Sequence, residues 1–138
     1  MEKIFLRLTI KGNSLNLSQI SKDISLPAEI FEKGTEVRYN FKLTTAKPRF
    51  QATNRWVYSI ESQEKEDLNR ILGRMYKDIS PCLDKLNEYI KKHRSILDIV
   101  VYTNKPESIS CYNVTLSKTS LKIISRLDIE FSLAIFDW

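Results

Sequence analysis

The stretch EDLNRILGRMYKDISPCLDKLNEYIKKH, Glu66 to His93, decides the fold. Leu68, Ile71, Leu72, Met75, Ile79, Leu83, Leu86 and Ile90 recur at three- and four-residue intervals, which paints one apolar stripe along a helix. Glu64, Glu66 and Asp67 crowd its start, and Lys91, Lys92, His93 and Arg94 crowd its end, the order that the helix dipole favours. Pro81 removes a backbone donor in the middle, yet the stripe keeps its phase across it. The stretch therefore reads as one kinked helix or two nearly collinear ones. So long an apolar stripe needs a surface to seal, and the flanking segments read as the strands that supply it.

Upstream, Ile4, Leu6, Leu8 and Ile10 alternate with Phe5, Arg7 and Thr9 in a first strand, and Lys11 to Ser14 turn the chain. Asn16 is placed to cap a short helix, with Gln19 at the third helical position as in a capping box and Leu15 and Ile20 as a hydrophobic staple. Leu17, Ile20 and Ile24 form its inner stripe, and Pro27 stops it. Ala28 to Phe31 can be extended, and Lys33-Gly34 is a turn. Val37, Tyr39, Phe41 and Leu43 then alternate with Arg38, Asn40 and Lys42. A loop containing Pro48 leads to a second arm, Gln51 to Glu61, centred on Trp56, Tyr58 and Ile60, so that the two arms read as a hairpin.

Downstream, Ile96 to Thr103 is nearly continuous in apolar residues, as in a central strand covered on both faces. Asn104-Lys105-Pro106 turns the chain into another strand, Ile109 to Leu116. Ser117 caps the last helix, with Leu116 and Leu121 at the staple positions and Leu121, Ile124 and Leu127 as its stripe. Ile129, Phe131, Leu133 and Ile135 alternate with Glu130, Ser132 and Ala134 in a closing strand. The order β-α-β-β-α-β-β-α-β predicts a single α+β domain over residues 1–138. Its sheet is expected to be mostly antiparallel, of about six or seven strands, with the helices on one face and the 66–93 helix dominant.

A length of 138 residues suits one domain, and 42% hydrophobic residues suffice for a core. No apolar run approaches the ~20 residues of a membrane helix. Arg7 breaks any signal-like apolar stretch at the start, so a cytoplasmic location is expected. Cys82 and Cys111 are far apart and read as small buried hydrophobes rather than as a disulfide framework. The net charge is +5, and its placement is more informative than its size. Arg38, Lys42, Lys47, Arg49 and Arg55 lie between Val37 and Arg55 with no acid among them, and the rest of the chain is neutral.

Lined up in this way, the chain resembles a bacterial family designated domain of unknown function 4279. The carriers are Ile10-Lys11-Gly12, Leu15 to Ile20, Pro27, Glu32 to Thr35, Trp56 to Ser59, the long helix, Asp98 to Tyr102, and Asp128 to Ile135. The family places Pro where Leu17 stands and has a shorter segment between Lys33 and Trp56. The resemblance implies a small, often stand-alone protein and brings no catalytic residue with it.

Reactive constellations are sparse. His93 is the only histidine and sits among Lys92 and Arg94 at a helix end, where a charge suits the dipole. Glu66-Asp67 reads as an acidic first turn, and Asp128 with Glu130 as a solvated edge. The three glycines, Gly12, Gly34 and Gly73, build no phosphate loop. Gly73, inside the long helix, calls for a close helix–strand contact or a kink. No Cys/His cluster has zinc spacing, and no metal or cofactor is expected. The one local signal is the basic hairpin, where Arg38, Lys42, Lys47, Arg49 and Arg55 are interleaved with Tyr39, Phe41, Phe50 and Trp56. It reads as a solvated basic face backed by buried aromatics, or as a grip on an anionic partner. The expected function is accordingly non-enzymatic: a protein-binding domain of the immunity or antitoxin kind that neutralises a toxin. The alternative is a nucleic-acid binder using the hairpin, and exposed sheet edges leave a dimer open.

Overall fold

The computed structural model of the chain describes residues 2–37, 49–103 and 114–137. In chain order the elements are β1 (Glu2–Gly12), α1 (Leu17–Asp23), β2 (Glu29–Phe31), β3 (Asn54–Glu61), α2 (Leu68–Ile79), a 3-10 turn (Ser80–Cys82), α3 (Leu83–Lys92), β4 (Arg94–Thr103), α4 (Lys118–Arg126) and β5 (Glu130–Asp137). The strands form one sheet in the order β2-β3-β1-β4-β5. The β2–β3, β3–β1 and β1–β4 pairs are antiparallel, and β4–β5 is parallel.

This corrects the expected sheet of six or seven strands to a mixed one of five among the described residues. The final pair is parallel because the chain leaves β4, passes through α4 and returns in the same direction, as a strand–helix–strand crossover requires. Of the expected strands, 38–43 of the first hairpin arm and 109–113 lie outside the described residues, as do the 104–106 turn and Cys111. Val114 to Ser117 carries no regular structure. The hairpin stem is nevertheless present: Glu36 bridges Phe50, and the Val37 amide donates to the Arg49 carbonyl at 2.8 Å. Ala28 to Phe31, read as merely extended, supplies the edge strand β2.

The 66–93 stretch folds as its pattern dictates. Asp67 caps α2, its carboxylate accepting from the Arg70 amide at 2.9 Å. Pro81 sits in the first turn of the 3-10 segment, where its missing N–H costs nothing, and the chain continues directly into α3. Leu68, Ile71, Leu72, Met75, Ile79, Leu86 and Ile90 are all buried, and Leu83 is half-buried. They meet Ile4, Leu6, Leu8 and Ile10 of β1, Trp56 and Tyr58 of β3, and Leu97, Ile99 and Val101 of β4 in one core. Burying each such side chain is worth about 1.5–3 kcal/mol, which makes this seal the main source of stability. All the described helices contribute to that core, so they lie on one face of the sheet, and among the described residues the other face has no helical cover.

Polar clamps fix the helical layer. The Tyr58 hydroxyl donates to Asp78 at 2.7 Å, joining β3 to α2, and the Tyr89 hydroxyl donates to Asp23 at 2.6 Å, joining α3 to α1. Arg74 donates twice to Glu66 and once to the Glu61 carbonyl, tying α2 to the end of β3. Helix α4 is held at both ends by asparagines. Asn69 donates to the Thr115 carbonyl and accepts from the Ser117 amide and the Ser120 hydroxyl, while Asn87 donates to the Arg126 carbonyl.

Both expected caps form: Asn16 accepts from the Gln19 amide and Ser117 from the Ser120 amide. Two finer expectations fail. The Gln19 side chain donates to Asp23 instead of closing a capping box. In α4, Leu121 is 51% exposed, and the inner stripe is Ser120, Ile123, Ile124 and Leu127. The Asn69–Ser120 bond rotates the helix by pulling a serine inward, to 1% exposure. Nothing lies within 4 Å of where a Cβ on Gly73 would stand, so no close contact explains that glycine.

Candidate functional site

The face turned away from the helices carries every second residue of each strand. On β1 these are Lys3, Phe5, Arg7, Thr9 and Lys11, and the strand register sets their neighbours. At one end Lys11 stands between Arg55 of β3 and Arg94 of β4, three cations in one row. In the next row Glu29, Val57, Thr9, Ile96 and Glu130 lie abreast, and Thr9 and Val57, nearly buried, divide the face in two. Beyond them Ser59, Arg7, Asp98 and Ser132 lie abreast, then Glu61, Phe5, Val100 and Ala134, and finally Lys3, Tyr102 and Phe136.

The two ends differ in chemistry. At the basic end, no acid forms an ion pair with Lys11, Arg55 or Arg94 among the described residues. The Arg55 guanidinium lies 4.9 Å over the Phe31 ring, and its Nε is buried without a hydrogen-bond partner. Like charges directly opposite across strands are destabilising, so this row is a cost unless something anionic offsets it. The hairpin stem joins β3 at this same end, which adds Arg49, exposed, to the basic surface.

At the other end bases and acids are equal in number, Lys3 and Arg7 against Glu61 and Asp98. Lys3 Nζ lies 2.7 Å from Glu61 and 5.4 Å over the Phe5 ring. Phe5 meets Tyr102 edge-on with ring centroids 5.7 Å apart, and Tyr102 stacks on Phe136 at the same separation. The Ser132 hydroxyl donates to Asp98 at 2.6 Å. Between Phe5, Val100 and Tyr102 on one side and Arg7 and Ser59 on the other lies a shallow depression of about 690 Å3.

The sequence pointed to Arg38, Lys42, Lys47, Arg49 and Arg55. The first three lie outside the described residues; Arg49 and Arg55 are brought to the basic end. Lys11 and Arg94 were missed, because one reads as a turn residue and the other as a helix-terminal charge. Only the strand register reveals that both flank Arg55 or its neighbour. A lysine closing one alternating strand and an arginine opening another were the available signals.

The other candidates do not assemble into chemistry. His93 ends α3, half-buried, stacked near Tyr89, with Nδ1 3.1 Å from where a Cβ on Gly12 would stand. Burial and the neighbouring Lys92 hold its imidazole below the usual range. Asp67 is a cap and Glu66 the partner of Arg74, whose hydrogen bonds hold that carboxyl below its ordinary value. Asp128 precedes β5, so it does not share a strand face with Glu130. Burial and then the bond to Asp23 push the Tyr89 hydroxyl up to about 12, and burial raises the Cys82 thiol; both stay protonated at neutral pH. Among the described residues no three His, Cys, Asp or Glu side chains group as metal ligands, and no helix is long and apolar enough to cross a membrane.

An α+β domain with one sheet face sealed by helices and a second face that is basic at one end and aromatic at the other is the class that fold and site define. The family model described as domain of unknown function (DUF4279) matches residues 2–138, and the chain belongs to that family. No curated protein and no solved structure matched it.

Proposed function

We propose that the chain is a non-enzymatic protein-binding module whose contact surface is the sheet face opposite the helices, and that its partner presents acidic groups there. The concrete form is an immunity- or antitoxin-type protein that holds and neutralises a toxin. The observation that carries this reading is the Arg55–Lys11–Arg94 row, three cations abreast with no acid paired to them. Such a row steers an acidic partner and fixes its register more than it adds raw affinity. The aromatic end supplies the apolar part that a protein interface needs beside its charged rim.

The same row would serve phosphates, which is the second reading. One arrangement weighs against it: Phe31, beside the row, has its ring under Arg55, and the Phe5 ring stands six residues along β1 from Lys11, about 20 Å at ~3.3 Å per residue, too far for one nucleotide to reach both.

The test is co-purification of the tagged chain with the product of the gene beside its own, as wild type and as Lys11→Glu/Arg94→Glu. At least a tenfold loss of binding in the variant is expected, with stronger binding at low salt. Undiminished binding by the variant sinks the reading. In a parallel arm on single-stranded oligonucleotides, salt-dependent retention that the reversal abolishes moves the assignment to nucleic acid.

A further inference from the structure

The depression beside Phe5 has a charge balance that the rest of the face does not explain. Two acids and two bases border it: Lys3, Arg7, Glu61 and Asp98. Glu61 is taken by Lys3 at 2.7 Å. Asp98 is the register partner of Arg7, and an ion pair between them would be the ordinary outcome for opposite charges facing each other across strands. It does not form. Asp98 lies on β4, between β1 and β5, and it accepts the Ser132 hydroxyl of β5 at 2.6 Å, on the side away from Arg7. Arg7 is left exposed, with no ion pair or hydrogen bond among the described residues, at the rim of a hollow walled by Phe5, Val100 and Tyr102.

The geometry points to a binding site in this depression for a carboxylate carried on a flat or branched apolar body. The guanidinium of Arg7 takes the carboxylate through its two-pronged donor edge, the strongest neutralisation open to it. The apolar body lies against Val100 and the Phe5 and Tyr102 rings, which fix its orientation. Ser59, abreast of Arg7 on β3, supplies a hydroxyl on the far side of the carboxylate. Asp98, held back by Ser132, repels a second anionic group and so restricts the ligand to one carboxylate near Arg7. The volume of about 690 Å3 lies within the ~300–1,000 Å3 of small-molecule sites. The site is separate from the basic row: Arg7 and Lys11 are four residues apart on β1, with nearly buried Thr9 between them.

The experiment compares three probes with one ring system: indole-3-acetate, neutral indole and cationic tryptamine, titrated into the whole chain and followed by amide NMR shifts. Indole-3-acetate is expected to bind in the millimolar range or tighter, with shifts centred on Phe5, Arg7, Ser59 and Val100, and at least tenfold more tightly than the other two. Arg7→Gln, an exposed position that leaves the fold intact, reduces indole-3-acetate to the level of indole. Val100→Phe fills the hollow and removes binding of every probe. Lys11→Glu changes none of this. Equal binding of the three probes, shifts elsewhere, undiminished binding by Arg7→Gln, or no binding at all overturns the assignment. The grip of the basic row on an acidic protein is tested separately, by Lys11→Glu/Arg94→Glu at the other end.

Discussion

If the basic row is uncompensated, removing its middle charge must stabilise the fold. Lys11→Gln is the perturbation, because Lys11 has a cation on each side. Neighbouring strands are ~4.8 Å apart, and head groups that splay apart settle at roughly 7 Å. In water each such pair costs ~0.6 kcal/mol, so the two together cost ~1.2 kcal/mol before screening. Ionic strength then sets what is observed. At ~0.01 M the Debye length of ~30 Å leaves about 0.9 kcal/mol, at ~0.15 M about half a kcal/mol remains, and at ~1 M almost nothing does.

The assay is urea unfolding of wild type and variant at low and high salt. At low salt a gain of ~0.9 kcal/mol moves the midpoint up by ~0.3–0.9 M for the slope of ~1–3 kcal/mol/M usual in small proteins. At high salt the two curves converge. A variant less stable than wild type at low salt, or a gain that salt leaves unchanged, would falsify the reasoning, since it would mean that Lys11 is already neutralised or packs through its stem. Binding should move oppositely: the change that steadies the fold weakens the grip on an acidic partner, the usual exchange of stability for function.

Other outcomes follow from the same geometry. Asn69→Ala removes three hydrogen bonds at the start of α4 and should lower stability by about 2–3 kcal/mol; adding Ser120→Ala should recover part of it, a coupling read from denaturation of the double mutant. Gly73→Ala meets open space in the interior of α2 and should gain about 0.5–1 kcal/mol, seen as a higher thermal midpoint. His93 is held below its ordinary value, so the folded state binds fewer protons than the unfolded one between the two pKa values. Its contribution is full above the unfolded value of ~6.5 and is lost as pH falls through the folded one, and His93→Gln should flatten the stability slope in that window.

Periodicity carried what it could. The stripe from Leu68 to Ile90 and the caps at Asn16 and Ser117 were legible because they depend on residues within a few positions of one another. The rotation of α4 was not. It turns on Asn69, 51 residues from Ser120, and a serine in an inner stripe looks polar until its partner is in place. Glu66 looked like a charge for the helix dipole and proved to be the partner of Arg74, eight residues on. The parallel direction of β5 is set by the path of the chain through α4, not by the composition of either strand. The basic hairpin was visible as a run of charge, whereas the row that includes Arg55 was not, since Lys11, Arg55 and Arg94 come from three strands and only register joins them.

Outside the basic end, and Arg7 apart, the chain settles the charges of this sheet face internally. Lys3 meets Glu61, Asp98 meets the Ser132 hydroxyl, and in the helical layer Arg74 meets Glu66, buried Tyr58 meets Asp78 and half-buried Tyr89 meets Asp23. The basic end departs from that habit. One glutamate in place of Lys11 would pair with cations on both sides and add stability. Direct ion pairing within the chain therefore does not account for three bases abreast, and the buried, unpartnered Nε of Arg55 adds to the cost that its contact with Phe31 offsets in part. On the proposed reading, a surface that holds acidic groups would supply the reason, because the energy withheld within the chain would be released when a partner brings the missing charges.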